Sequence, residues 1–491
     1  MRSNYFQSTC VLKPFLAVQL LLLLFQPLSA QSGIHSKLLP IINDPLLAKA
    51  QFGISVRNAV SGAVLYEWNG NKSFTPASNL KLFTTSEALL LLGPDYTFKT
   101  PLLYTGEVIN GVFNGTLKIT GSGDPTLGSG LQTPGNSGYA EMIRIWVTKL
   151  KEMGITSFSG KLILDPLVFE YNSIPTDYTW GDIGNYYGAG SYGINLNDNQ
   201  YFLTLKPGIN VGDPTEVLSL EPWDSSWTFN NHIVTGAASS GDKSVIYSSP
   251  YASEVFAEGS VPMGKPYTVK GSLPDPAMLL GNMLIEEIKK QGIAWKGTCE
   301  VLKQGEEFQT NGNWKTLYVE QSVRLSSIVK LTNTTSNNVY AECLLKACGS
   351  SKGLKPSGTA SSVMYLKKYI QSIGIDTAGM VIRDGSGMSP FNSISPNQLT
   401  ALLSNMQDKG AFVRSIPVAG KEGTVAHICI GTNDQIRLKS GTMNGTTCYS
   451  GYVKANSGIT YCVSFMVNKH EAKNRIIQKL LEKGILILFN D

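Results

Sequence analysis

Histidine is scarce in this chain, and that scarcity narrows the chemistry first. His35, His232, His427 and His470 are dispersed, so no Ser-His-Asp arrangement suggests itself. No Cys/His spacing matches a zinc signature, and the sequence predicts no metal and no cofactor. Excess charge of one sign is also missing: the formal net charge is +5. It falls to about +3 once Arg2 and Lys13 leave with the leader described below. Such a balance excludes a nucleic-acid or other polyanion partner. Long apolar runs are absent beyond the amino terminus, so no internal segment is expected to span a bilayer. Cysteine is sparse too. Cys10 lies in the leader, and Cys299, Cys343, Cys348, Cys429, Cys448 and Cys462 all lie late in the chain. Export would permit disulfides, and buried free thiols fit equally well. Cys343 and Cys348 sit five apart on an expected helix, which disfavours a bond between those two.

Residues 1–30 read as a cleavable secretory signal. Two basic residues precede or flank an apolar run from Phe15 to Phe25, and Leu28-Ser29-Ala30 forms a small-residue exit before Gln31. That run is too short for the roughly twenty residues of a spanning helix. The sequence therefore predicts export to the periplasm or cell wall, with cleavage near Ala30. What remains is long enough for a large core and several domains.

Organisation follows from the apolar periodicity. Residues 31–96 predict a helix, two strands turned at Ser61-Gly62, and a buried helix punctuated at its start by Thr75-Pro76-Ala77. Residues 97–272 change to short strands and turns, with hairpin signals at Asn110-Gly111 and Asn114-Gly115 and one amphipathic helix from Tyr139 to Met153. Within them, Tyr171 to Tyr201 mixes tyrosine with glycine and asparagine. A packed irregular loop explains that texture, and a glycan-contacting surface is the alternative. Residues 273–491 return to helices and then strands, with alternation at Tyr461, Val463, Phe465 and Val467. The simplest architecture is one α/β domain built from both ends of the chain, interrupted by a large β-rich insertion. The last helix carries Ile476, Ile477, Leu480, Leu481 and Ile485 at one-faced spacing. Packing on the preceding sheet accounts for it, with peripheral membrane contact as the lesser alternative.

Three motifs stand in a fixed order: Ser78-Asn79-Leu80-Lys81, Ser336-Asn337-Asn338 and Lys439-Ser440-Gly441. A serine hydroxyl is a weak nucleophile until a base takes its proton. Three residues on in a helix, Lys81 shares a face with Ser78 and can be that base if burial and a second cation lower its pKa. Lys439 is the candidate second cation. Strand residues Lys439 to Thr442 offer an edge for an extended peptide, with Gly441 keeping it clear, and Lys439, Ser440 and Thr442 can hold a carboxylate. Ser336 can relay a proton to a leaving amine, and the Asn338 amide can orient a carbonyl.

Each motif alone is weak. S-x-x-K recurs at Ser240–Lys243, in a polar turn, and at Ser327–Lys330, on an expected helix surface. A second S-x-N at Ser395-Pro396-Asn397 reads as a helix start. The elbow pattern Gly349-Ser350-Ser351-Lys352-Gly353 follows a helix instead of a strand, so the context it requires is missing. Asp384-Gly385-Ser386-Gly387 reads as a tight turn that could border the site.

The trio resembles the signature of serine β-lactamases and penicillin-binding proteins. Further matches are Gly121-Ser122-Gly123-Asp124-Pro125-Thr126-Leu127, Ala341-Glu342, Asp384-Gly385-Ser386-Gly387-Met388-Ser389, Ala419-Gly420 and Gly423-Thr424. With these, nearly the whole mature length is similar to the D-alanyl-D-alanine carboxypeptidase/endopeptidases of the DacB type, the class C low-molecular-mass penicillin-binding proteins. That resemblance implies a serine transpeptidase/β-lactamase-like catalytic domain, an antiparallel sheet flanked by helices, with two nested domains in the insertion. It implies Ser78 as acylated nucleophile, Lys81 as base, and Ser336 and Asn338 for proton transfer and orientation. Lys439, Ser440 and Thr442 would grip the substrate carboxylate. Backbone N–H groups of Ser78 and Thr442 would form the oxyanion hole. Ser440 replaces the usual threonine and keeps a hydroxyl. The implied partners are peptidoglycan stem peptides, with β-lactams as covalent inhibitors. Two other functions compete: a non-catalytic wall-binding scaffold, disfavoured by the intact Ser78, Lys81 and Lys439, and a β-lactamase or esterase, disfavoured by the insertion. Oligomeric state is not fixed by any of these residues.

Overall fold

A computed structural model describes residues 33–130, 138–306 and 313–491, so the expected leader lies outside the described residues. Its central feature is an antiparallel sheet of five strands that joins the two ends of the chain. In order they are Ile436–Met443, Thr446–Lys454, Thr460–Asn468, Gln51–Asn58 and Val64–Trp68. The join is the pairing of Gln51–Asn58 with Thr460–Asn468, in continuous register from Gln51 opposite Asn468 to Asn58 opposite Tyr461.

Alternation along Thr460–Asn468 divides two cores. Tyr461, Val463, Phe465 and Val467 face a layer containing Ile34, Leu38 and Ile41 together with Ile477, Leu480, Leu481 and Ile485 of the carboxy-terminal helix Asn474–Phe489. That packing uses the helix's apolar stripe and leaves Ile476 exposed. Cys462 and Met466 face the other way, onto the helices Lys81–Leu91, Leu325–Thr335, Asn338–Ser351, Thr359–Ser372 and Pro396–Asn405. A strand whose side chains point alternately to opposite faces can be apolar throughout when both faces are covered. All six cysteines in the described residues are free thiols, and all but Cys299 are buried.

The inserted unit carries a larger mixed sheet and two three-stranded sheets. Its core helix Gly138–Glu152 buries Met142, Ile143, Trp146, Val147 and Leu150, the residues its periodicity selects. One contiguous apolar cluster takes side chains from all three sheets.

The boundary expected at residue 273 moves. Helix Pro276–Lys290 buries Leu280, Leu284 and Ile288 in the same cluster as Trp146. The strands that follow also join the inserted sheet: Ala294–Trp295 pairs with Ser157–Phe158, Thr298–Val301 with residues 161–164, and Lys315–Gln321 with residues 99–104. The chain therefore returns to the first set of helices near Leu325, whose side chain sits in the core they form on the five-stranded sheet. An amphipathic period reveals that a helix has an apolar face but not which sheet it covers.

The sequence decoys fall where local chemistry put them. Ser395 caps helix Pro396–Asn405, accepting from the Gln398 backbone N–H, and Ser350 and Ser351 end helix Asn338–Ser351. Lys330 lies on helix Leu325–Thr335, paired with Glu422 at 2.7 Å. Ser240 sits in a turn and bonds the Gly241 carbonyl.

Candidate active site

Ser78 does not open a regular α-helix. It lies in a 3₁₀ turn, Ala77–Leu80, and the α-helix begins at Lys81. The turn is tight enough to put Ala77 at φ 45°, a conformation that costs about 1–3 kcal/mol for a residue with a Cβ. It lifts the half-buried Ser78 hydroxyl to the surface of a cavity while the Lys81 side chain stays fully buried beneath.

Lys81 Nζ is 2.9 Å from Ser78 Oγ, 2.6 Å from Asn338 Oδ1 and 2.6 Å from the Ser386 carbonyl oxygen. The amide orientation of Asn338 is fixed, because its Nδ2 donates to the Tyr187 carbonyl at 2.7 Å. A neutral amine has two N–H donors, and the Asn338 and Ser386 oxygens can only accept them. The remaining lone pair then faces the Ser78 hydroxyl, the arrangement needed to take its proton. Burial lowers the Lys81 pKa to about 7, against the pull of Asp384 and Glu342, which favour the charged form.

The second motif begins at the end of helix Leu325–Thr335. Ser336 takes a left-handed conformation, φ 61°, which breaks that helix, and the Asn337 side chain caps the next one by accepting from the Tyr340 N–H. Ser336 Oγ accepts from Lys439 Nζ at 2.9 Å, and the same amine nitrogen donates to the Ser440 carbonyl at 2.8 Å. Lys439 is driven well below the ordinary lysine range, by burial first and then by the charge of Lys81.

Lys439, Ser440 and Gly441 are buried on the outermost strand of the sheet, while Thr442 is exposed. Gly441 answers a steric demand that the sequence did not reveal. A Cβ there would lie 2.6 Å from Asn79 Nδ2 and 2.7 Å from the Pro76 carbonyl oxygen, so only glycine lets this strand approach the turn that carries Ser78. Ser440 Oγ donates to Thr424 Oγ1 at 2.7 Å.

Ser78, Ser336, Asn338, Ser440 and Thr442 line one cavity of about 500 Å³, whose far wall is Tyr186, Tyr187 and Lys270 of the inserted unit. The structure thus brings all three motifs to one place. The Tyr171–Tyr201 stretch is irregular and packed at Tyr192 and Tyr201, and it also supplies this wall.

The layer under Lys81 contains Glu342 and the Asp384 turn, which the sequence marked as a family match and as a turn that could border the site but to which spacing gave no role. Glu342, four residues after Asn338 and so on the same helical face, accepts through Oε1 from the backbone N–H groups of Gly385 and Ser386 at 2.9 and 2.8 Å. Asp384 accepts from the N–H groups of Gly387 and Ser389 and from Asn392 Nδ2. Burial raises both carboxyls, Glu342 to about 7, with Asp384 adding to the effect on Glu342. The i, i+4 relation of Asn338 and Glu342 was a readable signal. Tyr178, which touches both Glu342 and Ser386, had none.

A serine hydroxyl 2.9 Å from a buried lysine amine, beside the edge strand of an antiparallel sheet that carries a second buried lysine, is the geometry of a serine hydrolase. The profile of the D-Ala-D-Ala carboxypeptidase 3 (S13) family matches residues 34–483, and the chain belongs to that family. It is 29% identical over 441 residues to a D-alanyl-D-alanine carboxypeptidase of Actinomadura sp. (strain R39), covering 85% of this chain and 78% of that one. It is 22% identical over 387 residues to D-alanyl-D-alanine carboxypeptidase DacB of Haemophilus influenzae, covering 76% and 75%. Among solved structures, penicillin binding protein 4 (dacB) from H. influenzae superposes with a TM-score of 0.76 at 20% identity, covering 93% of this chain and 98% of that one, which establishes the shared fold.

Proposed function

We propose that this protein is an exported carboxypeptidase, endopeptidase or both, cleaving D-Ala-D-Ala or cross-linked stem peptides of peptidoglycan through an acyl-enzyme on Ser78. The observation that carries this reading is the 2.9 Å approach of the buried Lys81 amine to Ser78 Oγ, with its two N–H donors occupied by other oxygens. Lys81 takes the hydroxyl proton as Ser78 attacks the carbonyl. The N–H groups of Ser78 and Thr442 stabilise the oxyanion, which forms only at the tetrahedral stage. Asn338 orients the substrate carbonyl. Ser336, bonded to Lys439, passes a proton to the departing amine, and water then releases the acyl group. The edge strand Lys439 to Thr442 pairs with the extended peptide, and Lys439 with the Ser440 and Thr442 hydroxyls holds the terminal carboxylate. β-Lactams present the same carbonyl and carboxylate, so they acylate the same serine and leave slowly. Family membership and the printed activities of the Actinomadura and Haemophilus relatives support the substrate class. No helix among the described residues is long and apolar enough to cross a membrane. Export rests on the leader-like residues 1–30.

Intact-protein mass spectrometry after a labelled penicillin tests the assignment. Wild type should gain one adduct, on the peptide containing Ser78, and Ser78→Ala should gain none. Label on Ser351 would overturn it. Release of D-alanine from an acyl-D-Ala-D-Ala peptide, set against hydrolysis of nitrocefin, separates a peptidase from a β-lactamase.

A further inference from the structure

The inserted unit does more than wall the cavity. Two consecutive residues on it, Asp177 and Tyr178, grip the turn that holds Lys81. The Asp177 carboxylate pairs with Arg383 at 2.7 Å and accepts from Ser389 Oγ at 3.4 Å, one contact at each end of the 383–389 segment. Between them, the hydroxyl of the half-buried Tyr178 is 2.7 Å from Ser386 Oγ and donates to Glu342 Oε1 at 3.2 Å. Ser386 is the residue whose carbonyl accepts from the Lys81 amine. Thr84 Oγ1, one turn along the nucleophile helix, donates to the neighbouring Gly385 carbonyl at 2.7 Å. The turn therefore has its inner side on the nucleophile helix and its outer side on the insertion.

We propose that Tyr178 is a positioning residue for the lysine base: its hydroxyl, bridging Glu342 and Ser386, fixes the Ser386 carbonyl that aims the Lys81 amine at Ser78. The inference rests on Lys81 being the base. It makes the inserted unit part of the catalytic apparatus although that unit contributes none of the three motifs. Without the hydroxyl, the Ser386 side chain loses its partner from the insertion, and the carbonyl behind it gains freedom to turn. Glu342 also loses one of its three donors to Oε1, so its carboxylate is less stabilised and holds its proton to higher pH. The charged groups facing Lys81 are Asp384, Glu342 and Lys439, and those facing Glu342 are Asp384, Lys346 and Lys81. Less negative charge at Glu342 weakens the hold on the Lys81 ammonium, which then loses its proton at lower pH.

The test is Tyr178→Phe in the full chain, followed by the second-order rate of acylation by a fluorescent penicillin across pH 5.5 to 9.5 and by kcat and KM for an acyl-D-Ala-D-Ala peptide. Acylation should fall about ten-fold, kcat should fall with it while KM stays within about two-fold, and the pH midpoint should move to the acid side. Glu342→Gln should move the midpoint in the same direction. A folded Tyr178→Phe protein with wild-type rate and midpoint overturns the proposal, as does one that only melts at lower temperature. Should Tyr178→Phe fail to fold, Ser386→Ala removes the other end of the bridge and keeps the carbonyl, and an unchanged rate and midpoint there would also overturn it. A wild-type protein that takes no label on Ser78 would instead refute the active-site reading itself.

Discussion

Two buried lysines meet at this site, and the regions around them differ in kind. Beneath Lys81 lie carbonyl oxygens and the carboxyls of Asp384 and Glu342, contributed by a turn and a helix. Around Lys439, on the edge strand, lie a hydroxyl and one carbonyl, and no protein carboxylate pairs with it among the described residues. Burial pushes both amines toward neutrality, but the acidic layer stops Lys81 at about 7, where it can alternate between base and acid near neutral pH. Lys439 has no such anchor. An incoming substrate carboxylate would supply the counter-charge, so in the proposed mechanism the first region moves a proton and the second receives an anion.

Removing the base should break that division most severely. Lys81→Met should slow acylation by a fluorescent penicillin about 10³-fold, within the range for a lost general base, with the midpoint of thermal unfolding little lowered. Comparable acylation in the variant would transfer the base role elsewhere. For the wild type, the rate of acylation should rise with pH through a midpoint near 7, since the neutral amine is the active form, and level off above about pH 8.

Lys439→Ala should instead act on binding. Loss of one charge-assisted contact, about 1.5–3 kcal/mol, corresponds to roughly a ten- to hundred-fold fall in kcat/KM for a peptide ending in a free carboxylate. The same peptide ending in an amide should be affected far less, and equal losses would count against an anion-receiving region. Gly441→Ala tests how the two regions are held together. Its Cβ would press on Asn79 and Pro76, forcing the strand off the nucleophile turn at a cost of about 1–3 kcal/mol, read as a lower melting temperature and slower acylation. The smallest effect belongs to Ser440→Ala, which removes the bond to Thr424 and should cost about 0.5–1.5 kcal/mol in peptide binding.

Much of this was legible because it is local or periodic. S-x-x-K puts hydroxyl and amine on adjacent positions of one turn, and alternation at Tyr461 to Val467 announces a sheet strand. The separation of Cys343 and Cys348 along one helix disfavours a bond between those two, whereas their being free of other partners depends on the fold. Other features were hidden because they depend on distant partners. Helix Pro276–Lys290 has the same period whichever sheet it covers, so its place in the insertion was misread. Gly441 reads as a clear edge until Asn79 is found against it. Asp177 and Tyr178 lie in a loop with no motif, and only folding reveals that they hold the turn at Ser386.

What the amino-acid order determined by itself is the set of candidate reacting groups, since Ser78, Lys81, Ser336 and Lys439 stand in short motifs whose order along the chain singles them out from their decoys. Tertiary structure decided how those groups behave. A lysine's proton affinity depends on which carboxyls and carbonyls are packed around it, and those come from residues 177–178, 342 and 384–386, brought together by burial and hydrogen bonding across long separations in the chain.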